Sequence, residues 1–199
     1  MHTTGVKTFK HETTPRQLPL NPVKFSDSLI NFRNSRVSDS GQLAEIVRIE
    51  VYRGLPSSVH DPIDNAANIE QMNSWIQDSR VDVVQRNLKY DLTPSVFPDG
   101  APKRYNSKVE KGIDVLCALA IMRNSASENI DLVIVASHDS DLEPAIEEAH
   151  RTARRTKFET VSWFNPESKA GRSRMNPKTS SKIWNTALGR EVFELSLDI

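Results

Sequence analysis

Two aspartates one residue apart, Asp139 and Asp141, follow the run IDLVIVA from Ile130 to Ala136 by three and five positions. That continuous β-branched run reads as a strand buried on both faces, as in parallel sheets. Ligand sites in such sheets form beyond the carboxyl ends of the strands, where loops lead into helices, and both side chains are expected to project there. Carboxylates this close repel each other unless a cation lies between them, and oxygen ligands of this kind suit Mg²⁺ or Mn²⁺. Helix capping is the alternative, because acids are stabilised at helix N-termini and Ser or Asp commonly caps them. Asp114 is the third carboxylate of interest. On an ideal helix it lies about 115° from the centre of its apolar stripe, at the boundary of core and solvent, from which a side chain can reach a sheet edge. An ordinary surface ion pair with Lys111 or Arg104 is the other reading.

The elements that must position these acids alternate between strand and helix. Ile46 to Tyr52 has strand character, and Asn65 to Gln77 carries Ile69, Met72 and Ile76 at helical spacing behind a cap at Asp64 or Asn65. Val81 to Tyr90 is expected as a second strand. Residues 91–106, with Pro94, Pro98, Gly100 and Pro102, read as a long surface loop. Val109, Ile113, Leu116, Cys117 and Ala120 share one stripe, so a core-facing helix is expected from Ser107 to about Arg123. After the buried strand, Ser140 and Glu143 have capping-box spacing and Pro144 suits the first turn of a helix. Phe158 to Phe164 reads as a strand, and Ile183 to Leu197 as a short terminal helix or strand pair. Alternation of this kind implies an α/β fold with parallel pairing and right-handed crossovers.

Composition narrows the classes of function. The chain has 199 residues, enough for one α/β domain and a tail, and no apolar run of the roughly 20 residues that span a bilayer. With no secretory pattern at the N-terminus, a cytoplasmic protein is expected. Cys117 is the single cysteine, which excludes an intrachain disulfide and a cysteine-built zinc site. Lys plus Arg and Asp plus Glu balance at 26 each, but unevenly: residues 150–190 hold ten Lys or Arg against Glu159 and Glu167 alone. An acidic centre beside a basic flank suits a protein that binds metal in one place and phosphates in another; a solvated tail with scattered charge is the bland alternative. In that flank Arg154 and Arg155, with Trp163, Phe164 and Trp184 interleaved, could track and stack on a single strand of RNA, or the aromatics could simply pack.

The segment EKGIDVLCALAIMRNSASENIDLVIVASHDSDLEPAIEEA, Glu110 to Ala149, resembles the NYN domain, a branch of the PIN-like ribonuclease superfamily. Two motifs carry the likeness in order: Lys-Gly-x-Asp at Lys111 to Asp114, and Ser-x-Asp-Ser-Asp at Ser137 to Asp141. Similarity extends back through VYRGLP and forward through VSWFNP. The resemblance implies a Rossmann-like, PIN-type three-layer α/β/α fold with a mainly parallel sheet, Mg²⁺ or Mn²⁺, and hydrolysis of RNA phosphodiesters. By motif position Asp114, Asp139 and Asp141 are the expected acidic ligands. Ser137 is then a candidate to orient a ligand or phosphate, and His138 is a candidate general acid, against a role in capping or packing. Lys111 is a candidate phosphate contact, against a role as a solvated helix residue, and Arg53, at the end of an early strand, is a candidate RNA contact.

The N-terminus departs from that family. NYN and PIN-like domains open with a central buried strand ending in Asp, with Asn three residues later. Here the nearest pair, Asp27 and Asn31, is spaced one residue too far, and only Val23 and Phe25 before it are strand-like. The expected division is therefore a loosely ordered extension over 1–42, the NYN/PIN-like domain over 43–166, and a basic segment over 167–199 packing on it. Two functions remain open: a metal-dependent ribonuclease, or a non-catalytic RNA-binding or assembly module that lost its first-strand Asp. The RNA partner could be single-stranded or structured, and a chain lacking a central strand could form homo-oligomers. Phosphoryl transfer through an aspartyl nucleophile would need Asp-x-Asp after the first strand, and none occurs.

Overall fold

Asn21 sets the first well-packed element. Its side-chain oxygen accepts hydrogen bonds from the Val23 and Lys24 backbone N–H groups at 2.9 and 3.1 Å, and Pro22 occupies the first turn. The computed structural model describes residues 1–9, 19–37, 42–167 and 174–198. Helix α2 (Pro22–Asn34) buries Phe25, Leu29 and Arg33, at spacings of four, along one face. The short α1 (His2–Phe9) precedes it. This differs from the loose extension expected over 1–42. Asn21 and Pro22 form the helix start, and the sparse apolar residues suffice for one stripe. Pro15, Lys10 and Arg16 lie outside the described residues.

The chain divides into two units. The first, Met1–Ile49 with Cys117–Ile199, is built on a parallel sheet of order β5-β6-β7, comprising Leu132–Ala136, Lys157–Trp163 and Trp184–Leu188. Helix α5 (Glu143–Thr152) joins the first two of these strands, as a βαβ crossover requires. Alternation along β6 then builds two cores. Val161 and Trp163 face a cluster with Phe9, Phe25, Leu29, Leu188, Leu197 and Phe193 of α6 (Arg190–Leu195). Phe158 faces the other way, into a cluster with Ile146 and Ala149 of α5 and Ile121 of α4 (Ile113–Ser125). Helices thus cover both faces of a parallel sheet, an α/β architecture.

The second unit, Glu50–Leu116, holds two small sheets. β1 (Ile49–Leu55) pairs with β2 (Val81–Asn87), and α3 (Pro62–Trp75) connects them. β3 (Lys89–Asp91) runs antiparallel to β4 (Ser107–Val109), closing the expected loop at its base. Two local expectations are corrected here. α4 starts at Ile113 rather than Ser107, because residues 107–109 pair with β3 and Gly112, at φ 77°, interrupts helical propagation. The strand expected over 81–90 is divided at Leu88, whose N–H donates to the Leu55 carbonyl. No described helix is long and apolar enough to cross a membrane.

One buried ion pair ties α2 to the sheet. Arg33 Nη2 lies 2.7 Å from Glu159 Oε1 and its Nε 3.1 Å from Oε2, with both residues under a tenth exposed. Arg33 Nη1 also donates to the Gln42 carbonyl at 2.6 Å. Removing one member strands the other charge, which typically costs about 3–5 kcal/mol, whereas replacing both by apolar groups is often close to neutral. The Arg33→Met variant is therefore expected to lose about that much stability in urea unfolding, and Arg33→Met with Glu159→Leu to recover most of it. A single variant as stable as the double one would refute this account of the pair.

Candidate functional site

The acidic loop of the first unit stands where a strand must become a helix. β5 ends at Ala136, and the chain then satisfies its own backbone by successive side-chain turns. The Asp139 N–H donates to Ser137 Oγ at 3.1 Å, and the Asp141 N–H donates to Asp139 Oδ1 at 3.0 Å. Asp139 is thereby the cap of a short 3₁₀ turn, Ser140–Leu142, that leads into α5 with Pro144 in its first turn. The expected Ser140–Glu143 capping box is replaced by this arrangement, in which α5 begins two residues later than the spacing suggests. Buried Leu142 pins the turn to the core.

Asp139 and Asp141 are exposed and sit together at the carboxyl end of β5. The cap uses one oxygen of Asp139. Its other oxygen, and the Asp141 carboxylate, have no hydrogen-bond partner among the described residues. Ser137 lies in the same loop, and its hydroxyl serves the loop's backbone. His138 Nε2 accepts the Trp163 backbone N–H at 3.3 Å, which holds the ring against the end of β6. The packing role is the one the geometry supports.

Asp114 belongs to the second unit, exposed in the first turn of α4. Among the described residues it forms no ion pair with Lys111 or Arg104; Arg104 donates instead to the His60 carbonyl at 2.8 Å. Its charge acts on Glu110, an acid of the same unit that the sequence reading missed. Burial first, and then the Asp114 charge, push the Glu110 carboxyl up, against an opposing hydrogen bond from the Gly54 backbone and the Arg53 charge. A Cβ at Gly54 would overlap Leu88 Cδ2, so glycine there leaves room for the Leu88 side chain, with the Glu110 carboxyl carbon in ordinary contact at 3.4 Å. The signal was present in sequence as a second acid four residues before Asp114. Lys111 is exposed. Arg53 is half-buried: its guanidinium lies 5.2 Å from the Trp75 ring centre and donates to Gln71 at 2.9 Å, and burial lowers its pKa.

The other candidates also have definite places. Asp27 and Asn31 lie on α2, not at a strand end, so neither stands where a first-strand ligand would. Arg154 and Arg155 are exposed in the turn before β6, whereas Asp139 and Asp141 follow β5. Because the two strands are parallel, these groups occupy opposite ends of the sheet, on the order of 15 Å apart. Arg155 pairs with Asp131 at 3.4 Å. Trp163 is fully buried and packs, while Trp184 and Phe164 are about half exposed. Residues 169–173 of the basic flank lie outside the described residues.

Hard oxygen donors are the right type for Mg²⁺ or Mn²⁺, and Mg²⁺ in particular is often held by one or two carboxylates with water and phosphate completing its shell. Asp139 and Asp141 fit that requirement in type. Among the described residues no three His, Cys, Asp or Glu side chains form a group able to hold a metal ion by themselves.

The second unit contains a further polar cluster that sequence reasoning did not find. Asp61 accepts hydrogen bonds from Tyr90 Oη at 2.7 Å, Tyr105 Oη at 2.9 Å and Lys108 Nζ at 2.8 Å. Lys108 also reaches Asp64 at 3.3 Å. Burial pushes the Asp61 carboxyl up, but the hydrogen bonds from Lys108, Tyr90 and Tyr105 outweigh it and hold the group down at about 2. Since the folded value lies below the ordinary 3.8, the cluster stabilises the unit above that pH and loses its contribution as pH falls towards 2. Carboxyl NMR is expected to show Asp61 titrating near 2, and Asp61→Asn to remove part of the acid sensitivity of unfolding between about pH 4 and 2; a midpoint near 4 would contradict the network. Comparison with protein-family models, with curated proteins and with solved structures gives no match for this chain.

Proposed function

We propose that this chain is a metal-dependent ribonuclease. The observation that carries the reading is the exposed Asp139–Asp141 pair on a backbone-satisfied turn at the carboxyl end of a parallel strand, the place where α/β sheets form ligand sites. Asp139 and Asp141 would hold Mg²⁺ or Mn²⁺ through their carboxylate oxygens. When bound, such an ion lowers the pKa of a water and neutralises charge developing on a phosphate. The chain's own contribution is positional. Asp139 is oriented by the Asp141 N–H on one oxygen, so its second oxygen is held in a fixed direction without further ordering cost. Ser137 fixes the loop that carries it.

A second reading, a non-catalytic RNA-binding or assembly module, is favoured by one specific observation: the nearest match to the first-strand Asp and its Asn, Asp27 and Asn31, is on a helix. The two readings part on one experiment. Wild type and Asp139→Asn are incubated with labelled single-stranded RNA in Mn²⁺ or in chelator. Asn keeps the acceptor for the Asp141 N–H, so the fold is expected to hold while the anionic donor is lost. Cleavage that needs Mn²⁺ and falls at least about 100-fold in the variant is the expected result. Equal cleavage by both proteins would sink the nuclease reading, and RNA binding without Mn²⁺-dependent cleavage by wild type would favour the second.

A further inference from the structure

The loop 91–106 is built rather than slack. Its backbone closes on itself through Phe97 N–H to the Ala101 carbonyl at 2.8 Å, Lys103 N–H to Ser95 at 2.9 Å and Asn106 N–H to Asp91 at 2.8 Å. Asn106 Nδ2 adds a bond to the Thr93 carbonyl at 2.9 Å, and Gly100 takes φ 84° at the tip. Arg104 Nη1 fastens the loop to the His60 carbonyl. Between this loop and the start of α3 lies an open pocket of about 420 Å³, lined by His60, Asp61, Phe97, Lys103, Arg104 and Tyr105 among others. That volume is within the range of small-ligand sites.

The lining states the chemistry of the occupant. Asp61 contributes an ionised carboxylate, but Lys108 and two phenols already satisfy it. Lys103 and Arg104 both line the pocket and form no ion pair among the described residues, which leaves their charges available to an anion. Lys103 Nζ sits 5.4 Å from the centre of the Phe97 ring, which is 49% exposed. Adjacent cations bind a phosphate, and a half-exposed aromatic ring flanked by a cation stacks on a planar base. A pocket formed before binding spares the ligand the cost of ordering the loop.

We infer that this pocket binds one nucleotide of a single RNA strand, its phosphate on Lys103 and Arg104 and its base against Phe97. The inference rests on the proposed function only for the identity of the polymer. It also supplies the cation and aromatic pairing that the first unit's Arg154 and Arg155 turn, at the far end of its sheet from the acids, does not provide.

The test uses the full chain and a fluorescein-labelled single-stranded RNA pentamer in chelator, read by anisotropy across a salt series. Lys103→Ala with Arg104→Ala is expected to weaken binding at least about tenfold and, because the two cations share one phosphate, to reduce the magnitude of the log–log salt slope by about 0.7. Phe97→Ala is expected to weaken it by about 5- to 100-fold with the slope unchanged. Lys182→Ala, an exposed cation of the first unit, should stay within about twofold, and all variants should keep the wild-type far-ultraviolet circular dichroism. A nucleoside monophosphate should compete better than inorganic phosphate. Unchanged affinity in the pocket variants would overturn the inference even if Asp139→Asn abolishes cleavage, and so would a Phe97→Ala variant that binds as wild type, or phosphate competing as well as the nucleotide. Loss of binding in the pocket variants would uphold it even where no Mn²⁺-dependent cleavage exists to separate wild type from Asp139→Asn.

Discussion

A carboxylate in the middle strand of a parallel sheet is tolerated only if its charge is met. Glu159 on β6 is in that position, and Arg33 meets it with two short hydrogen bonds from α2. The pair requires that residues 22–34 be helical, so that Phe25, Leu29 and Arg33 fall on one face, and that this face lie on the side of β6 that carries Val161 and Trp163. The aromatic cluster of Phe9, Phe25, Trp163 and Phe193 then closes around it, with ring centres 5.4 to 5.8 Å apart and mostly edge-on. Such a pair contributes little to net stability, because an apolar replacement would bury as much surface without the cost of desolvating two charges.

The first unit shows which features a linear reading can carry. IDLVIVA and the Phe158 to Phe164 run were legible as strands because β-branched residues had no competing pattern, and the helix between them was fixed by Ile146 and Ala149 at helical spacing. α2 was not legible. Its apolar residues are few, its first residues include Pro and Asn, and its most telling core member is an arginine whose partner lies 126 positions away. Nothing in a local window marks Arg33 as buried.

At the site, the sequence correctly put Asp139 and Asp141 at a strand end, since that follows from chain order alone. It could not distinguish capping from ligation, and the geometry explains why: Asp139 caps with one oxygen and leaves the other outward. The two readings are not exclusive, because a carboxylate has two oxygens and capping orders the second at no added entropy. Glu110 and the Asp61 cluster escaped because their environment depends on Gly54, Tyr90 and Lys108, which converge only after folding.

Charge along the chain is a poor guide to charge in space, and this protein gives the physical reason. Arg154 and Arg155 follow Asp139 closely in sequence, yet a βαβ crossover returns the chain to the opposite end of the sheet before the next strand begins. Any basic turn that follows the crossover helix is thereby carried away from the acids that precede it. A cation that must serve the carboxyl end of β5 has to come from a loop that follows a strand or from another part of the chain altogether. By the same logic Lys103 and Arg104, on a loop closed by its own backbone bonds and fastened to His60, hold their charges where local geometry puts them, independent of the sheet's polarity.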